Sequence, residues 1–179
     1  KQLFSLNHIR DVALMKREVI SGKTGEIYRI EAYDAAHISG KWSVAVMTVV
    51  EDGEVKKSEY RKFKLRFARE ADDLSSLEEV LRRRFNHLEW RMPNMVVVDG
   101  GQNQKRRAEK VLHNMGISVP VVAVVKNEFH KPRAILGDAK TAREHDRSIL
   151  LSNSEAHRFA VKFHRELRDK NFSKKQSRT

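Results

Sequence analysis

Residues 95–101 read MVVVDGG, an unbroken apolar run that stops at an Asp-Gly-Gly turn. A strand with one face in water alternates apolar and polar residues. A run without alternation has to be buried on both faces, as happens in parallel sheets covered by helices. Residues 102–115 then read as a helix, and residues 119–125, VPVVAVV, form a second buried run. Strand, helix and strand in this order make a β-α-β unit, whose two strands lie parallel. The chain is therefore expected to carry an α/β sheet flanked by helices.

The residues before this unit have a different character. Residues 28–34, YRIEAYD, alternate like a strand, and residues 42–50 are rich in Val, Met and Thr. Asp52-Gly53 is a strong hairpin signal, and beyond it residues 55–67 alternate Tyr60, Lys62 and Lys64 against Arg61, Phe63 and Leu65. Three antiparallel strands are expected here. In residues 73–85, Leu74, Leu77, Val80, Leu81 and Phe85 fall at helical spacing. Ser75 or Ser76 with Glu78 or Glu79 suits the start of that helix, and Arg82, Arg83 and Arg84 close it. After the β-α-β unit, residues 126–152 read as irregular, with Pro132 and Gly137. Residues 154–170 then form a helix whose apolar stripe is Ala156, Phe159, Ala160, Phe163 and Leu167.

At the front of the chain, residues 6–17 are weakly helical and residues 21–25, SGKTG, break the pattern. That break is not a phosphate-binding loop, because the first Gly of such a loop and a preceding strand are both missing. The order β-β-β-α-β-α-β-loop-α is that of an RNase H-like fold. It predicts a mixed five-stranded sheet, three antiparallel strands followed by two parallel ones, in a domain spanning residues 26–172. A helix and linker (1–25) would precede it and a basic tail (173–179) would follow.

A net charge of +12 and a pI near 10.1 point to a polyanionic partner, first of all nucleic acid. The stretch from His157 to Thr179 carries eight Lys or Arg against two acids, half of the whole excess. Expected phosphate contacts are Arg82, Arg83, Arg84, Lys105, Arg106, Arg107, Arg158 and Arg165. With no Cys in the chain, any metal has to be held by oxygen or imidazole, which favours a hard divalent cation such as Mg2+ or Mn2+. No apolar run reaches the roughly 18 residues that cross a bilayer, and the first residues lack the apolar core of a secretory signal. A cytoplasmic protein without a membrane partner is expected.

Asp34 lies at the inner end of the first strand and Asp99 at the carboxyl end of the fourth, where α/β sheets collect ligands. In the expected fold these strands are neighbours, and two carboxylates brought together there repel unless a divalent cation lies between them. Taken singly, either Asp also fits an ordinary turn. On the last helix the apolar stripe leaves His157, Val161, His164 and Arg168 along one flank, so His157 can be aimed at the two Asp residues. It would serve there as a metal ligand or a proton shuttle, or else stand as a partly buried structural histidine.

Five stretches now form one pattern: RIEAYDAAHISG (29–40), KKSEYRKFKLR (56–66), DDLSSLEEVLRRRF (72–85), VVVDGG (96–101) with Gln104, and SEAHRFAVKFHRELR (154–168). In order and spacing they resemble the C-terminal nuclease domain of the UvrC family, over most of residues 27–170. The resemblance implies a metal-dependent endonuclease that cuts DNA on the 5′ side of a lesion in bacterial nucleotide excision repair. It implies that Asp34 is the principal metal ligand, that Asp99 holds or orients the metal-bound water, and that His157 is the third member. Two departures stand out: Gln102 where the family usually has Lys, and Ala35-Ala36 after Asp34 where Ile-Ser is usual. The family's GIY-YIG nuclease, UvrB-binding segment and helix-hairpin-helix repeats are not in this stretch. The chain is thus expected to be part of a longer protein that meets UvrB through parts not present here. The competing expectations are a catalytically silent DNA-binding module of the same fold and an RNase H-like nuclease acting on another nucleic acid.

Overall fold

The structure, a computed structural model, describes residues 27–38, 42–65, 73–129 and 131–176. The expected helix at 6–17, the break at 21–25 and the last residues of the tail lie outside them. In chain order the elements are β1 (Arg29–Ile38), β2 (Trp42–Glu51), β3 (Glu54–Val55), β4 (Arg61–Lys64), α1 (Asp73–Phe85), β5 (Met95–Asp99), α2 (Gln102–Asn114), β6 (Val121–Lys126), β7 (Pro132–Leu136), α3 (Ala139–Glu144) and α4 (Asp146–Gln176). The sheet runs β3-β2-β1-β5-β6-β7, with β4 also paired to β2. β1 is antiparallel to β2 and parallel to β5, and β5 is parallel to β6.

The expected core of this sheet is present, and the strand count rises from five to seven. The third strand is split. A 3-10 turn at Lys57–Glu59 interrupts it and leaves β3 and β4 as separate pieces on β2. β7 was read as irregular because its residues are mostly exposed and do not alternate. It pairs antiparallel with β6 at the open edge of the sheet, where Pro132 can begin a strand without breaking a ladder. The last helix also starts eight residues before the expected Ser154 and continues to Gln176, past the boundary expected at 172.

Period 2 decides which side chains meet which helices. On β5, Val96 and Val98 join Leu77, Val80, Leu81, Ala108, Val111 and Leu112 under α1 and α2. Met95 and Val97 face the other way, toward Ile149 and Ala156 of α4. All four are at most 1% exposed, as the unbroken run requires, and burying such a side chain is worth about 1.5–3 kcal/mol. On β1 the same alternation sends Tyr33 toward α1 and α2, and Ile30 and Ala32 toward α4. The tight turn between β2 and β3 places Asp52 and Gly53 at φ 49° and 82°, the left-handed pair that a two-residue hairpin needs.

Candidate active site

Asp34 has the parity of Ile30 and Ala32, and Asp99 that of Met95 and Val97, so both carboxylates leave the sheet on the α4 side. The parallel register pairs Tyr33 with Val98, and one more step sets Asp34 beside Asp99. Across from them runs α4, anchored by Ala156, Ala160 and Phe163. The residue after Ala156 is His157, and its Nδ1 lies 3.2 Å from Asp34 Oδ2. Asp34, Asp99 and His157 each offer a ligand atom, and these atoms lie within 4.8 Å of one another. The three residues expected from the sequence therefore converge.

The turn after β5 is shaped to leave this place open. Gly100 has φ +130°, and a Cβ there would lie 2.7 Å from the Gln104 side chain. Gln104 in turn accepts the Gly101 N–H at 3.1 Å through Oε1, capping α2. The Asp-Gly-Gly-x-x-Gln pattern is thus a turn closed by the first turn of its own helix.

Lys126 was not among the expected site residues. It ends β6, and its ammonium donates to Asp99 Oδ2 at 2.6 Å. The only signal for it in the sequence is position, one residue past a buried run that neighbours β5. Lys126 offsets one of the two carboxylates by direct contact, and Arg165 and Arg168 stand further along the groove. Burial first and the charge of Asp99 second push the Asp34 carboxyl above its usual value, against the pull of His157 and Lys126. Two carboxylates that repel one another and an imidazole are a donor set that a hard divalent cation fits.

The expected phosphate contacts divide. Arg165 lines the same groove as Asp34, Asp99, Lys126 and His157, and so do His164 and Arg168. Arg158 turns away to Glu155 at 2.6 Å. Arg82 and Arg107 both bind Glu78, and Lys105 binds Glu109, on the α1 and α2 layer across the sheet from α4. Arg83 donates to the Lys64 carbonyl at 2.7 Å. Arg106 is exposed on α2. Arg84 is a correction: it is fully buried and bound to Glu31 at 2.9 Å, so it cannot reach DNA. Helical spacing pointed it inward with Leu81 and Phe85, and only the buried carboxylate on β1 makes that position tolerable.

A mixed sheet with one Asp in the middle of β1, where the sequence had suggested a strand end, and another at the end of its parallel neighbour β5, faced by a His from the packing helix, fits an RNase H-like nuclease domain. A sequence model described as UvrC RNAse H endonuclease domain matches residues 20–169. The chain belongs to that family. It is 39% identical over 165 residues to the UvrABC system protein C of Caldicellulosiruptor saccharolyticus, covering 88% of this chain and 28% of that protein. The corresponding protein of Streptococcus uberis is also 39% identical, over 160 residues, covering 83% of this chain and 27% of its own length. The chain thus spans little more than a quarter of these relatives. Among solved structures, human ENDOV overlays with a TM-score of 0.41 at 17% identity, covering 80% of this chain and 66% of that one. A. aeolicus Argonaute gives 0.41 at 18% identity, covering 65% and 17%. Likenesses this loose carry no argument about activity. Among the described residues no helix is long and apolar enough to cross a membrane.

Proposed function

We propose that this chain is a divalent-cation-dependent DNA endonuclease domain that makes the 5′-side incision of nucleotide excision repair. The observation that carries the reading is the convergence of Asp34, Asp99 and His157 within 4.8 Å, from two strands and a helix far apart in sequence. The family supports the repair role, since the relatives are UvrABC system proteins. Any meeting with UvrB would run through segments outside this chain.

Asp34 and Asp99 would hold Mg2+ or Mn2+ with His157 as third ligand or proton carrier. When bound, such an ion polarises a phosphate and acidifies a water. The remaining work falls to the chain's own groups. Lys126, released from Asp99 when the carboxylate takes another partner, is placed to bind a phosphate oxygen. Arg165 and Arg168 extend the positive lining along α4, where a strand backbone can lie. His157 keeps Nδ1 toward Asp34, which leaves Nε2 to give a proton to the departing 3′ oxygen.

The test is Asp34→Asn, assayed on nicked and lesion-bearing duplex in Mg2+ or Mn2+. Cutting should disappear while DNA binding persists. A variant that cuts at the parental rate would show that Asp34 holds nothing the reaction needs. The silent-module alternative requires the parent itself not to cut under these conditions.

A further inference from the structure

The loop between β6 and β7 carries an apolar side chain that the fold does not use. Phe129 is 71% exposed, whereas the other exposed large apolar side chains among the described residues, Ile27 and Val161, stop at 38% and 39%. The loop that holds it is tied down. The Asn127 amide donates to the Lys131 carbonyl at 2.9 Å, and Asn127 Oδ1 accepts the N–H groups of Phe129 at 3.0 Å and Lys131 at 2.9 Å. Such a tip is held in place while its aromatic ring is left to water, the reverse of what burial favours.

Its position gives the ring a use. The loop begins at Lys126, whose ammonium touches Asp99 at 2.6 Å. Three residues of chain span at most about 11 Å, so the Phe129 backbone lies within roughly three nucleotide steps of the Lys126 backbone, whose side chain reaches Asp99. Along residues 126–133 the charge is positive: Lys126, Lys131 and Arg133 stand against Glu128. A protein partner would favour an interface depleted of Lys, whereas a nucleic-acid strand favours an aromatic face among cations.

We infer that Phe129 is a stacking platform for an unpaired base beside the phosphate to be cut, so that the domain prefers opened DNA to fully paired duplex. The inference rests on the nuclease reading above. Inside an intact duplex both faces of each base are already stacked, and a single ring on a loop tip gains a partner only where the helix is opened.

The experiment measures binding of the 179-residue chain to a duplex with a central mismatch bubble and to its fully paired counterpart, at one salt concentration and without divalent ions. The parent should prefer the bubble. Phe129→Ala should lose roughly 5- to 150-fold in bubble affinity, the span that stacking of one base supplies. Phe129→Trp should keep the preference, with emission from the added Trp falling as bubble DNA binds. Phe129→Leu, apolar but without a π face, should behave like the Ala variant. The inference is overturned if the Ala variant keeps the parental preference, or if Leu preserves it, which would mark an apolar contact such as one with another protein. A parent that binds both DNAs equally overturns the stacking role and leaves the nuclease reading to its Asp34→Asn result. A parent that binds neither overturns the stacking role, and the nuclease reading is then decided by cutting in Mg2+ or Mn2+.

Discussion

Glu31 and Asp34 stand three residues apart on β1, point to opposite faces of the sheet, and live in opposite surroundings. Glu31 is fully buried, yet every bonding direction is used: it accepts from Arg29 Nε at 3.1 Å, from Arg84 Nε and Nη2 at 2.9 Å, and from the Tyr33 hydroxyl at 2.7 Å. Arg29 also binds Glu51 at 3.0 Å, so the two buried arginines balance two buried carboxylates. Arg29 meets Glu59 as well, at the rim of the network. Asp34 is only part-buried, but it faces a second carboxylate, and its compensation comes from one ammonium and a histidine that is mostly exposed. One region is closed and neutral. The other is open and under-compensated. The contrast teaches that burial alone does not mark a functional acid; the mark is a charge the protein has left for something else to balance.

The largest expected effect breaks the closed region. Arg84→Met leaves Glu31 buried with Arg29 and Tyr33 alone, and should lower stability by about 3–5 kcal/mol in urea unfolding. A loss under about 1 kcal/mol would mean that the network is not structural. Asp34→Asn, measured the same way without divalent ions, should cost nothing or stabilise slightly, because it relieves repulsion.

Next comes His157→Ala, which should slow cutting by about a hundred-fold or more while leaving the melting temperature and DNA affinity near parental values. His164→Ala, further along the same groove, should cost less. Equal losses from the two, accompanied by lowered melting in both, would return the histidines to a packing role. Mn2+ at about 100 times its Kd should stabilise the parent by about 2.7 kcal/mol and leave Asp34→Asn unmoved, a readout independent of cutting. Lys126→Met should change stability by no more than about 1 kcal/mol, as part-exposed pairs do, and should reduce the salt slope of DNA binding by about one.

The smallest effect is in pH. Because the folded pKa of Asp34 is raised, the folded state prefers its protonated form, and ionisation costs stability as pH rises through the carboxylate range. Without divalent ions, the advantage of Asp34→Asn over the parent should therefore grow with rising pH and shrink in acid. A difference that stays flat across that range would show that Asp34 feels no net repulsion.

Much of this was legible in the chain because it depends on neighbours in sequence. The unbroken run ending at Asp99 could only be a strand buried on both faces, and the stripe through Ala156, Ala160 and Phe163 placed His157 one residue from the packed face. Those local periods are enough to name three candidate site residues. The split between β3 and β4 escaped because the alternation of residues 60–65 was extended back to Val55 across the polar Lys56–Glu59, where Glu59 is turned aside to join Arg29. β7 escaped because an edge strand has little apolar face to reveal. Arg84 and Lys126 escaped for a deeper reason. Each is a cation beside ordinary neighbours, and its role is set by a carboxylate 53 or 27 residues away. Sequence alone therefore determined the central strands, the helices that cover them and the acids that could act. Only the tertiary structure decided which charges are neutralised and which are left open, because neutralisation is an interaction between distant segments and no local pattern records it.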